Sequence, residues 1–82
     1  MGSDNGSPMW IVYECVGIGR EEIATYDKIN IKSSLKKAAK RLRIPLSSIN
    51  GVTYNYNIVS LNSTPLDNNI PSGGVLTIKL KS

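Results

Sequence analysis

Two rhythms run along this chain. From Met9 to Val16 (MWIVYECV), Ile11, Tyr13 and Cys15 fall on one side, and Trp10, Val12 and Glu14 on the other. A period of two in a run of β-branched and aromatic residues predicts a strand. Glu14 marks the second side as the wet one. Gly17-Ile18-Gly19 has turn chemistry. Glu21 to Asp27 resumes with Ile23, Thr25 and Tyr26, so the two segments predict a hairpin. The period then changes. Leu35, Ala38, Ala39 and Leu42 stand at i, i+3, i+4 and i+7, one stripe of a helix. Ser33 or Ser34 can cap its first amides. Pro45 ends it, because the residue before a proline avoids the helical region.

Beyond the helix, Ser47 to Gly51 reads as a loop or a single turn. Val52, Tyr54, Tyr56 and Ile58 alternate with Thr53, Asn55 and Asn57, which predicts one strand with one apolar face. Asn62 to Asn69 is turn chemistry around Leu66, and Pro71 to Gly74 is another turn. Val75 to Leu80 closes as a strand, with Leu76, Ile78 and Leu80 opposite Thr77 and Lys79. The order is strand, strand, helix, strand, turn, strand. One helix cannot bury its stripe alone and must cover one face of a mixed sheet, so the fold class is α+β. Leu35, Ala39, Leu42, Ile70, Ile78 and Leu80 are the expected core, with Lys36 and Lys40 exposed.

Length and composition narrow the function. Eighty-two residues allow one domain with a small core. The chain has no histidine, which removes the commonest general acid–base and metal ligand. One cysteine, Cys15, excludes an intrachain disulfide and a cysteine-based zinc site, and it reads as a small core residue. No nucleophile has an evident base. The expectation is no catalytic residue, no metal and no cofactor. Asn62-Ser63-Thr64 matches a glycosylation sequon but carries no functional weight here. Residues 1–8 are small and polar and lack the pattern of a signal peptide. They read as a disordered leader or a cloning remnant, with residues 9–82 as the domain. No apolar run approaches the roughly 20 residues of a membrane span. The expected setting is the cytoplasm, and the expected state a monomer.

Charge adds one feature. Lys28, Lys32, Lys36, Lys37, Lys40, Arg41 and Arg43 are seven of the ten basic residues, and no acid interrupts them. Most lie opposite the helix stripe. Lys32, Lys36, Lys37, Lys40, Arg41 and Arg43 form either a solvated face or a surface for phosphates, an acidic protein or anionic lipid. Trp10 is expected to pack down on the hairpin; in the other reading it anchors a partner. Tyr54 and Tyr56 read as core or half-core packing, with a stacking platform as the alternative.

The chain resembles a ubiquitin-like β-grasp domain from residue 9 to 81. Ile44-Pro45 sits where that family often ends its helix. Ile70, then Leu76, Ile78 and Leu80, is similar to its last strand and the buried residue before it. Leu61 to Leu66 resembles the turn between its middle strands. The resemblance implies a mixed four- to five-stranded sheet packed on one helix. It also implies a departure: conjugated and sulfur-carrier members end in Gly-Gly, whereas here Gly73-Gly74 precedes the last strand and the chain closes Lys79-Leu80-Lys81-Ser82. The function that remains is a non-enzymatic module docking on a protein partner. Two rival resemblances stand beside it. Leu35 to Val52 is similar to a helix-turn-helix, with Ala39, Leu42, Ile44, Ile49 and Val52 at apolar positions, which implies DNA or RNA binding through Lys36 to Arg43. Arg43 stands there in place of the usual turn glycine. Ile58 to Ile78 resembles the end of a lysin motif, a glycan binder, without its Gly-Asp-Thr opening and with a second helix required across Tyr54 to Ser60.

Overall fold

The alternating first segment and its partner form a hairpin of two equal strands, β1 (Pro8–Cys15) and β2 (Gly19–Tyr26). The computed structural model describes residues 4–82. Between the strands the Ile18 amide donates to the Cys15 carbonyl, and Gly17 at φ 85° takes the left-handed position a type II turn needs. Of the expected leader, residues 1–3 lie outside the described residues. Pro8 already belongs to β1. Ser7 and Asn5 accept backbone hydrogen bonds from Asp27 and Lys28, and the Asp27 carboxylate accepts from the Ser7 amide.

Helix α1 (Ile31–Leu42) starts earlier than the serines predict. Asn30 is the N-cap, its Oδ1 accepting from the Ser33 amide at 3.0 Å. The stripe therefore extends one turn back to Ile31, and Ser34 is buried on it. The other end closes in a Schellman arrangement: Ile44 N–H donates to Ala39 C=O and Arg43 N–H to Lys40 C=O, with Arg43 left-handed at φ 60°, ψ 39°. Arg43 stands in the glycine role, and Ile44 behind it is buried.

After a 3-10 turn (Leu46–Ser48) the chain runs through β3 (Ile49–Tyr54), β4 (Asn57–Val59) and β5 (Gly74–Leu80). The single strand expected over Val52 to Ile58 is in fact a hairpin. Asn55 and Tyr56, at φ 50° and 70°, make a two-residue turn of type I′ character between Tyr54 and Asn57. The turn resets the phase, so Val59 faces inward opposite Val52 while Ile58 faces out. No second helix occupies residues 47–60, which removes the helix-turn-helix and lysin-motif folds.

The strand order is β2-β1-β5-β3-β4, with β1 and β5 parallel and the other pairs antiparallel. Residues 60–73 return the chain across the sheet's end. Thr64 and Asp67 cap each other's amides there, and Pro65, rather than Leu66, is the buried residue. Gly73 is left-handed at φ 88°, and a Cβ on Gly74 would meet Ile70 Cγ2 at 2.8 Å, so this glycine pair is required by the turn. Helix α1 covers one face of the sheet. Ile11, Tyr13, Ile23, Ile31, Leu35, Ala39, Val52, Ile70, Leu76 and Ile78 are buried together there. Two expected core residues differ: Leu42 is only partly buried, and Leu80, the last residue of β5, is 42% exposed.

Candidate interaction surfaces

The helix presents its cations outward: Lys32, Lys36, Lys37, Lys40, Arg41 and Arg43 are all exposed. They do not act as one face. Arg41 leans over β2, its Nη1 donating to the Glu22 carbonyl at 3.2 Å and standing 3.9 Å from Glu21 Oε1. β2 is an edge strand, so this arginine covers part of an otherwise open ladder. Arg43 is committed by its backbone to the helix cap. Lys32 and Lys36 flank a cleft of about 470 Å³ on the other side of the helix, walled by Leu35, Leu46, Ile49 and Leu61. No described acid pairs with Lys32, Lys36, Lys37 or Lys40.

Trp10 is not packed down on the hairpin. It lies on the sheet face away from the helix and is 55% exposed. Its backbone is fixed, since its amide donates to Ser72 Oγ and its carbonyl accepts from Gly73. The structure therefore separates the expected site residues: the basic helix and Trp10 are on opposite sides of the sheet.

Trp10 has company that the alternation did not reveal. The register places Val12 beside Val75, and Thr77 beside Thr53, on the same open face. Val16 from the first turn and Tyr56 from the second flank a shallow cleft of about 370 Å³ over Thr53, Val75 and Thr77, with Lys79 at its rim. Val16 is 84% exposed and Tyr56 fully exposed. Ile58, opposite Thr53 on β4, adds a further exposed apolar side chain.

The rest of the molecule carries little reactive chemistry. Cys15 is a free, buried thiol. Among the described residues no cluster of three or more metal-ligating acids, cysteines or histidines forms, and no helix is long and apolar enough to cross a membrane. Among the described residues, buried side-chain polar atoms all have partners. Burial pushes the Tyr13 hydroxyl up to about 12, against a smaller opposing effect of the hydrogen bond with Ser34.

A hairpin, one helix across it, a short antiparallel pair and a last strand parallel to the first make one known architecture. The fold is the ubiquitin-like β-grasp. It is similar to a de novo designed protein based on ubiquitin, with a TM-score of 0.80 over 93% of this chain and 92% of that one, at 18% identity. It is also similar to the N-terminal ubiquitin-like domain in the 4931431F19Rik protein, with a TM-score of 0.75 over 99% of this chain and 83% of that one, at 13% identity. No family model matches the sequence, and no curated protein matches it. The β-grasp is thus carried here by packing and turn geometry at low identity. In this β-grasp three exposed apolar side chains, Val16, Tyr56 and Val75, line one cleft on the open sheet face.

Proposed function

We propose that this chain is a non-enzymatic docking module that engages a protein partner through the open face of its sheet. Tyr56 carries the reading. Its place in a two-residue turn of this type ordinarily goes to glycine. A side chain held left-handed costs about 1–2 kcal/mol, and the Tyr56 ring is fully exposed, so it makes no packing contact within the domain that offsets this. The left-handed backbone serves the turn, but the exposed ring adds nothing to the fold that glycine would not, so a tyrosine kept at this cost points to a contact with another molecule. Val16 stands across the cleft in similar exposure, over Val75, Thr53 and Thr77. The surface suits a partner that inserts an apolar side chain between Val16 and Tyr56. Polar atoms beside that anchor would meet the threonine hydroxyls, and an acidic group would meet Lys79. The β-grasp of the domain in the 4931431F19Rik protein supports the module character of the fold.

Affinity capture with the immobilised domain, followed by calorimetry with the purified partner, tests the proposal. Tyr56→Gly and Val75→Asp should each weaken the binary complex about tenfold or more, in line with loss of a buried aromatic or apolar anchor. Both positions are exposed enough for the fold to persist. A partner held equally well by Tyr56→Gly sinks the open-face reading.

A further inference from the structure

We infer that the cleft between helix α1 and the segment after Pro45 is a second, separate binding site, for a short extended peptide that combines apolar side chains with two acidic residues. The inference extends the docking reading to another surface and takes from it only that the ligand is a protein segment.

Leu35, Leu46, Ile49 and Leu61 line a cleft of about 470 Å³, within the roughly 300–1,000 Å³ of small-ligand sites. Leu46 is 46% exposed although it immediately follows the proline that fixes this segment. Lys32 and Lys36 lie on the helical wall of the cleft, and no described acid pairs with either. Their stems can lie along apolar surface while the ammonium groups stay in water. An apolar floor beside two unpaired cations favours a ligand of matching composition.

Spacing favours a peptide over a lipid. Lys32 and Lys36 are four positions apart on one helix, with Cβ atoms about 5–6 Å apart. Carboxylates at alternate positions of an extended chain stand about 6.5 Å apart, so one peptide strand can meet both lysines at once. A fatty acid brings a single negative charge against two cations, where the diacidic peptide brings two. The site is distinct from the β2 edge, which Arg41 occupies on the other side of the helix.

Amide shift mapping on the isotope-labelled domain tests this. The probe is a short synthetic peptide with two aspartates at alternate positions flanked by leucines, alongside its diasparagine counterpart. Shift changes should centre on Leu35, Lys36, Leu46, Ile49 and Leu61. The diasparagine peptide should bind about tenfold more weakly, as should the aspartate peptide to the variant carrying Lys32→Glu and Lys36→Glu. Leu46→Asp, at an exposed position, should weaken binding by a similar factor with the spectrum otherwise preserved. Tyr56→Gly should leave it unchanged, which separates this site from the open face. Absence of shifts at millimolar peptide overturns the inference. So do equal affinities for the two peptides, shifts centred on Val16 and Tyr56, or tighter binding to decanoate or to phosphatidylglycerol vesicles than to the peptide.

Discussion

Tyr13 joins the central strand to the start of the helix. Its hydroxyl lies 2.6 Å from Ser34 Oγ and donates within 3.2 Å of the Ile31 carbonyl, in a site with no solvent access. Burial raises its pKa to about 12 from 10.0. The folded state therefore keeps this proton where the unfolded chain loses it. Its stabilising effect is complete below pH 10 and should fall between about pH 10 and 12, by up to about 1.4 kcal/mol per pH unit. Urea unfolding across that range should show a steeper decline for the wild type than for Tyr13→Phe. At neutral pH that variant should be less stable by about 0.5–1.5 kcal/mol, the net value of a typical hydrogen bond. Arg43 and Tyr56 form a different pair: both are left-handed without being glycine. Arg43→Gly keeps both cap hydrogen bonds and removes a backbone cost of about 1 kcal/mol. Thermal unfolding should move up by several degrees. Tyr56→Gly should stabilise by a similar amount, and under the docking proposal it alone should also lose the open-face partner.

At the level of elements, the periodicities carry different amounts of information. The helix stripe is legible because Leu35, Ala38 and Ala39 are buried in phase and Pro45 marks the stop. Its start is not, because three polar residues, Asn30, Ser33 and Ser34, can all cap. The choice falls to Asn30 because Ile31 and Ser34 are drawn onto the buried face, where Ser34 bonds Ile31 and Tyr13. The β3–β4 hairpin is hidden for a related reason. Alternation survives a two-residue turn on paper, so Val52 to Ile58 looks continuous, and the turn lacks the glycine that would announce it. The open-face cluster was illegible for the same reason, since Tyr56 belongs to it only once the turn is known; the helix cations and Trp10 were legible as residues but not as two separated surfaces. The outcome can be checked at the last strand. Leu35→Ala, at 1% exposure, should cost about 2–5 kcal/mol in denaturant unfolding. Leu80→Ala, at 42% exposure and at the end of β5, should cost well under half of that. Equal losses would mean that the end of β5 is packed more tightly than its exposure indicates.

For the whole molecule, charge is arranged by side. The helix side carries Lys32, Lys36, Lys37 and Lys40 without described acidic partners, whereas the open sheet side mixes Glu14 and Glu22 with Arg20 and Lys79 around its apolar centre. A protein docked on the open face is therefore screened by the sheet from most of the positive charge, and its affinity should depend weakly on salt. A nucleic acid would have to lie along the helix. Each phosphate contact there contributes a slope of about 0.7–0.9 in log affinity against log salt. Arg41 is already turned toward Glu21 and the β2 edge, which leaves few cations in line and no second helix to read bases. Replacing Lys36, Lys40 and Arg43 together with Glu tests the two sides against each other. These residues lie outside the buried stripe, so the fold should persist. The triple variant should keep the open-face partner within about threefold, because rim and remote charges act mainly on association rate. Duplex or single-stranded nucleic acid should bind the wild type no more tightly than the non-specific range, about 10⁻⁴–10⁻⁶ M. Tighter, steeply salt-dependent binding to one defined sequence, abolished in the triple variant while Tyr56→Gly leaves it intact, would transfer the function from the open face to the helix.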